Sequence, residues 1–76
     1  MRELLEVLAR HLVDNPEAVS VTEKKGESTI VLELKVAPED MGKVIGKQGR
    51  IAKAIRTIMK AAAIRAGEKI SVEIDE

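Results

Sequence analysis

The chain has 76 residues, 45% hydrophobic and 34% charged, with no Cys, Phe, Tyr or Trp and a formal net charge of zero. That is room for one compact domain with an aliphatic core, and it excludes a multidomain enzyme, a disulfide scaffold and a thiolate metal site. No stretch approaches the roughly 18 apolar residues of a membrane span and no apolar run resembles a signal peptide, so no membrane association and a cytoplasmic, reducing location are expected.

In chain order, Leu4, Leu5, Leu8 and Leu12 recur at spacings of three and four between Glu3, Glu6 and Arg10, which predicts a first helix from Arg2 to Val13. Asn15-Pro16 ends it, because proline disfavours helical geometry in the residue before it and Asn tolerates a left-handed turn. Val19 and Val21 alternate with Ser20 and Thr22. After the turn-like cluster Lys24-Lys25-Gly26-Glu27, the run Ile30, Leu32, Leu34, Val36 alternates again, and the pair predicts a β-hairpin. Val31 breaks that alternation and puts some apolar surface on the far face of the second strand.

Pro38-Glu39-Asp40 suits the first turn of a second helix, with carboxylates at the positive end of its dipole. This helix is expected to be short, to about Ile45, and to be interrupted at Gly46-Lys47-Gln48-Gly49, since each glycine weakens a helix by roughly 1 kcal/mol relative to Ala. A third helix follows from Arg50 to Ala66, with Gly67 as its left-handed cap. Ile70, Val72 and Ile74 then alternate with Ser71, Glu73 and Asp75 as a third strand. The order αββααβ, with a hairpin and then a helical crossover, predicts an α+β fold. Its helices pack on one face of a three-stranded mixed sheet whose centre is the second strand.

Charge is distributed unevenly. Residues 1–40 carry five basic and nine acidic side chains, whereas Met41–Gly67 carries Lys43, Lys47, Arg50, Lys53, Arg56, Lys60 and Arg65 and no acid. Ordinary exposed helices mix signs, so this segment predicts a local surface for a polyanion on an otherwise neutral body. Gly46 and Gly49 leave no side chain to hold a ligand away, main-chain N–H groups at the start of the following helix can face an anion, and Lys47 can neutralise one. On a helical wheel Ile51, Ala52, Ile55, Ile58, Met59, Ala62, Ala63 and Ala66 form an apolar arc of about 140°. Arg50, Lys53, Arg56, Thr57 and Lys60 lie opposite. Ile64 falls among the cations and, with Ala61, is the candidate self-association surface.

Other chemistries fit poorly. Gly42-Lys43-Val44-Ile45-Gly46-Lys47 has three residues between its glycines where a P-loop needs four, and Gln48 stands where Ser or Thr would reach magnesium. His11 has no second positioned group for acid–base work, and Glu39 and Asp40 read as first-turn residues. No catalytic residue, cofactor or metal ligand is expected. The competing class is a protein-interaction module.

The segment Val44-Ile45-Gly46-Lys47-Gln48-Gly49-Arg50-Ile51 resembles the hydrophobic-Ile-Gly-x-x-Gly signature of KH domains. With Ile55, Leu12-Val13-Asp14-Asn15-Pro16 and Ala37-Pro38-Glu39-Asp40-Met41-Gly42, the whole chain is similar to the small bacterial KH-domain RNA-binding proteins of the KhpA family. The resemblance implies a single type II KH domain over residues 1–76 that is not an enzyme. It implies a clamp for about four nucleotides of single-stranded RNA, between the Gly-x-x-Gly loop with its flanking helices and the sheet edge. Its expected contacts are the loop Gly46, Lys47, Gln48 and Gly49, the flanking Lys43, Arg50, Lys53 and Arg56, and aliphatic Val44, Ile45, Ile51 and Val36 in place of aromatic stacking. It further implies post-transcriptional regulation or RNA chaperoning linked to growth and division, a homodimer, and pairing with the larger KH protein of the KhpB (Jag) family.

Overall fold

The computed structural model of the protein describes residues 1–75, without the side chain of Lys47. Helix α1 spans Arg2–Leu12, β1 Ser20–Lys25, β2 Ile30–Lys35, α2 Pro38–Ala66 and β3 Ile70–Asp75, and a 3-10 turn covers Pro16–Ala18. The sheet order is β1-β2-β3. Strands β1 and β2 are antiparallel, with Val21 opposite Leu34, and β2 and β3 are parallel, with Leu32 opposite Val72. The hairpin, the crossover and the central position of β2 are those the hydrophobic periodicities predict.

Helix α1 stops one residue early. Val13 is extended (φ −110°, ψ 162°) and its N–H still donates to the Ala9 carbonyl at 3.2 Å. Asn15 is not left-handed (φ −119°, ψ 77°). Proline constrains it as expected, and the chain turns through the 3-10 segment that Pro16 begins. Lys24 and Lys25 belong to β1, so the turn shrinks to residues 26–29, closed by the Gly26 N–H donating to the Thr29 carbonyl at 2.8 Å.

Leu5 and Ala9 of α1, Leu32 and Leu34 of β2 and Ile55 and Met59 of α2 fill the core between helices and sheet. Each fully buried aliphatic side chain contributes about 1.5–3 kcal/mol of transfer free energy, which together replaces the missing aromatics. The opposite face of the sheet is polar, with Lys24 Nζ 2.8 Å from Glu33 Oε1, and Val31 is half-buried among these charges.

Helix α2 runs as one element from Pro38 to Ala66, where two helices separated by a loop were expected. A straight helix of this length would be about 43 Å long, yet the molecule's greatest extent is 34 Å. The dihedrals supply the bend. Gln48 and Gly49 are both left-handed, at φ 64° and 69°, and they divide α2 into an N-terminal and a C-terminal arm, the helix pair of the expected order. At the far end Gly67 (φ 71°, ψ 27°) closes a Schellman cap, its N–H donating to Ile64 O at 3.1 Å and that of Glu68 to Ala63 O at 2.9 Å.

Candidate nucleic-acid interface

The bend of α2 is where sequence and structure converge most closely. Helical residues leading into two left-handed ones turn successive main-chain N–H groups toward one side, the geometry of an anion-binding nest. Gly49 needs its glycine for the backbone. Gly46 does not: it is not among the positive-φ residues, and a Cβ built there meets nothing within 4 Å. The other left-handed position is Gln48, a residue with a side chain. What glycine provides at 46 is low relief on an open surface.

The N-terminal arm is held in place by an acid that sequence patterning reads as a first-turn residue. Asp40 is 1% exposed, and its two carboxylate oxygens accept the N–H groups of Asp14 and Asn15, each at 3.1 Å. Asn15 Nδ2 donates to Glu39 Oε1 at 3.5 Å, and Lys43 Nζ lies 3.0 Å from Asp14 Oδ1. These contacts tie the first turn of α2 to the chain leaving α1, so the arm that delivers the loop is anchored against the helix layer.

The expected contact residues separate into three groups. Gln48, Arg50, Lys53 and Arg56 are exposed, Ile45 is 52% exposed, and Gly46, Gly49 and Ile51 are half-exposed. All are within reach of a ligand lying along the bend and the C-terminal arm. Lys43 is also exposed but already paired with Asp14. Val44 is 1% exposed and Val36 is buried, so both are core residues with no surface to offer a base. The resemblance implies aliphatic contacts at both, and the core cluster between helices and sheet takes them. The Lys47 side chain lies outside the described residues.

The resemblance also implies a sheet edge as the second wall of the clamp. Beyond Arg56 a cleft of about 420 Å³ separates the C-terminal arm from β3, lined by Arg56, Lys60, Ile64, Lys69, Ile70 and Val72 among others. Strand β3 is an edge strand. Lys69 and Asp75 give their carbonyls to Ile30 and Val36 across the sheet, so by alternation Ile70, Val72 and Ile74 turn their N–H and C=O groups outward. Arg56 Nε donates to the Val72 carbonyl at 3.4 Å. An apolar floor, outward main-chain donors and acceptors and a cationic rim can receive a planar heterocycle with its phosphate. Ile64 is 69% exposed and lies in this same cleft, on the side of the helix that carries Arg56 and Lys60.

Among the described residues no group of three His, Cys, Asp or Glu could hold a metal ion, and no helix is long and apolar enough to cross a membrane.

A helical pair bent at a Gly-x-x-Gly segment, laid on a sheet of order β1-β2-β3 with a parallel β2–β3 pair, is the type II KH fold. The chain belongs to the KhpA/KhpB KH-domain family, whose pattern it matches over residues 2–74. It is 68% identical over 74 residues to the RNA-binding protein KhpA of Clostridium perfringens, covering 97% of this chain and 99% of that one. It is 50% identical to the RNA-binding protein KhpA of Aquifex aeolicus, over 100% of this chain and 96% of that one. Among solved structures, the crystal structure of Era in complex with MgGDPNP and nucleotides 1506–1542 of 16S ribosomal RNA superposes with a TM-score of 0.60 at 18% identity. That likeness, which concerns the fold alone, covers 96% of this chain and 28% of the Era chain.

Proposed function

We propose that this protein binds single-stranded RNA, with the sugar-phosphate backbone on the bend at Gly46–Gly49 and the bases against Ile45, Ile51 and the near end of the cleft beside β3. The observation that carries the reading is the left-handed pair Gln48–Gly49 at the head of a helical arm whose exposed Arg50, Lys53 and Arg56 face no acid of their own segment. Relatives at 47–68% identity named as RNA-binding proteins support it. The chain's role is that of a cytoplasmic post-transcriptional regulator or RNA chaperone tied to growth and division, acting by binding and not by catalysis. It works as a homodimer, for which the exposed Ile64 and neighbouring Ala61 are the candidate contact, and pairs with a KH protein of the KhpB (Jag) family.

The test is a titration of labelled RNA with the parent and with the double variant Lys47→Asp, Gln48→Asp. Two anions beside a phosphate repel it, most strongly at low salt. Binding is expected to vanish while the circular dichroism spectrum and thermal midpoint stay at parental values. Parental affinity in the folded variant would move the RNA elsewhere on the molecule.

A further inference from the structure

The basic segment Met41–Gly67 carries no acid of its own, but the fold brings one to it from 29 positions upstream of Lys43. Asp14 Oδ1 lies 3.0 Å from Lys43 Nζ. The main chain of Asp14 is fixed there, because its N–H donates to buried Asp40 and the next N–H, of Asn15, donates to the other Asp40 oxygen. Both side chains of the ion pair are exposed, yet the carboxylate is held at a set place beside the N-terminal arm of α2.

Lys43 stands three residues before Gly46, a neighbouring position on the helix surface about 4.5 Å away along the axis. A phosphate over Gly46 is within the reach of that side chain. In the free protein the ammonium already has an anionic partner at the distance of a charge-assisted hydrogen bond, so Asp14 fills the role a phosphate oxygen would take. An ammonium is a point charge on a flexible stem and can change partner without disturbing the helix that carries it.

Resting on the RNA-binding reading above, we infer that Asp14 is an internal competitor for the RNA phosphate at Lys43: binding exchanges carboxylate for phosphate on the ammonium, and Asp14 thereby lowers RNA affinity. A strand gripped along the bend makes several contacts at once and displaces the carboxylate. A free anion instead faces a competitor tethered beside the lysine at high effective concentration. Asp14 thus reserves Lys43 for a polyanion.

Fluorescence anisotropy with a mixed-sequence RNA octamer tests this on the full chain, with the parent, Asp14→Asn, Lys43→Gln and the double variant. At an ionic strength of about 0.1 M, Asp14→Asn is expected to raise affinity about threefold, within the range of an exposed ion pair. In the Lys43→Gln background the same change should gain less than about 1.5-fold, because no ammonium is left to compete for. Raising the ionic strength to about 0.3 M should shrink the gain seen with Lys43 present, since salt screens the internal pair. Asp14→Asn keeps the main-chain N–H that Asp40 accepts, and an unchanged circular dichroism spectrum verifies the fold. No gain from Asp14→Asn, or an equal gain with and without Lys43, overturns the inference, the equal gain showing that Asp14 acts only through the general field. The RNA-binding reading is judged separately, because it fails if the bend variant Lys47→Asp, Gln48→Asp still binds the octamer as the parent does.

Discussion

Asp40 and Asn15 stand 25 positions apart, and the N–H of Asn15 donates to Oδ2 of Asp40 at 3.1 Å, while the other carboxylate oxygen takes the N–H of Asp14. One buried acid thereby satisfies two amides that the end of α1 leaves without helical partners. The charge needs no cation because charge-assisted hydrogen bonds from main-chain amides stabilise it.

Asp40→Ala should therefore destabilise the fold by about 2 kcal/mol, the cost of leaving part-buried amides unsatisfied. For a domain of this size the thermal midpoint falls by about 8–16 °C. Asp14→Ala removes only the exposed ion pair with Lys43 and should change stability by less than about 1 kcal/mol. Thermal denaturation followed by circular dichroism checks both, and similar effects from the two variants would refute the ranking.

The two loop glycines should respond differently to alanine. At Gly49, with φ 69°, a Cβ costs about 1–2 kcal/mol of backbone energy, so both stability and RNA affinity should fall, and the affinity loss should exceed that of Gln48→Ala. At Gly46 the Cβ has open space and the backbone is helical, so Gly46→Ala should hold or raise the midpoint, Ala favouring a helix over Gly by about 1 kcal/mol, and weaken only the RNA titration. Unchanged RNA affinity in Gly46→Ala would show that low relief at this position is irrelevant to binding.

Lys53→Ala and Arg56→Ala should weaken binding by similar factors across RNA sequences, since phosphate contacts carry no base information. Each lost contact should flatten the plot of log affinity against log salt by about 0.7 for a single strand. A slope identical to the parent's would assign that cation to solvent.

Ile64→Glu should shift sedimentation toward monomer with the fold intact if Ile64 and Ala61 form the self-association surface, because burying an unpaired charge at a contact is costly. Parental sedimentation would place the homodimer contact on another face.

Periodicity made most of the architecture readable. The strands at Val21, Leu32–Leu34 and Ile70–Ile74 alternate, and the α2 residues Ala52, Ile55, Met59 and Ala63 keep helical spacing. Three things were not readable, for physical reasons. The wheel of α2 gives an apolar arc but not how much of it a three-stranded sheet can cover, and Ile58 is left 44% exposed. A Gly-x-x-Gly segment signals a weak helix but not which residue turns left-handed, and the non-glycine Gln48 takes that conformation. A first-turn aspartate looks the same whether it interacts only with its own helix dipole or, like Asp40, binds amides brought from 25 residues away.

The hydrogen bond from Arg56 to the Val72 carbonyl has a bearing on solubility. An edge strand with outward amides and carbonyls at Ile70, Val72 and Ile74 is a template on which another chain could add. The guanidinium occupies one of those acceptors at the middle of the strand, and Lys60 and Lys69 place positive charge at the approach. These cations therefore deter unwanted strand pairing, and neutralising all three should leave a protein prone to aggregate even where it still folds.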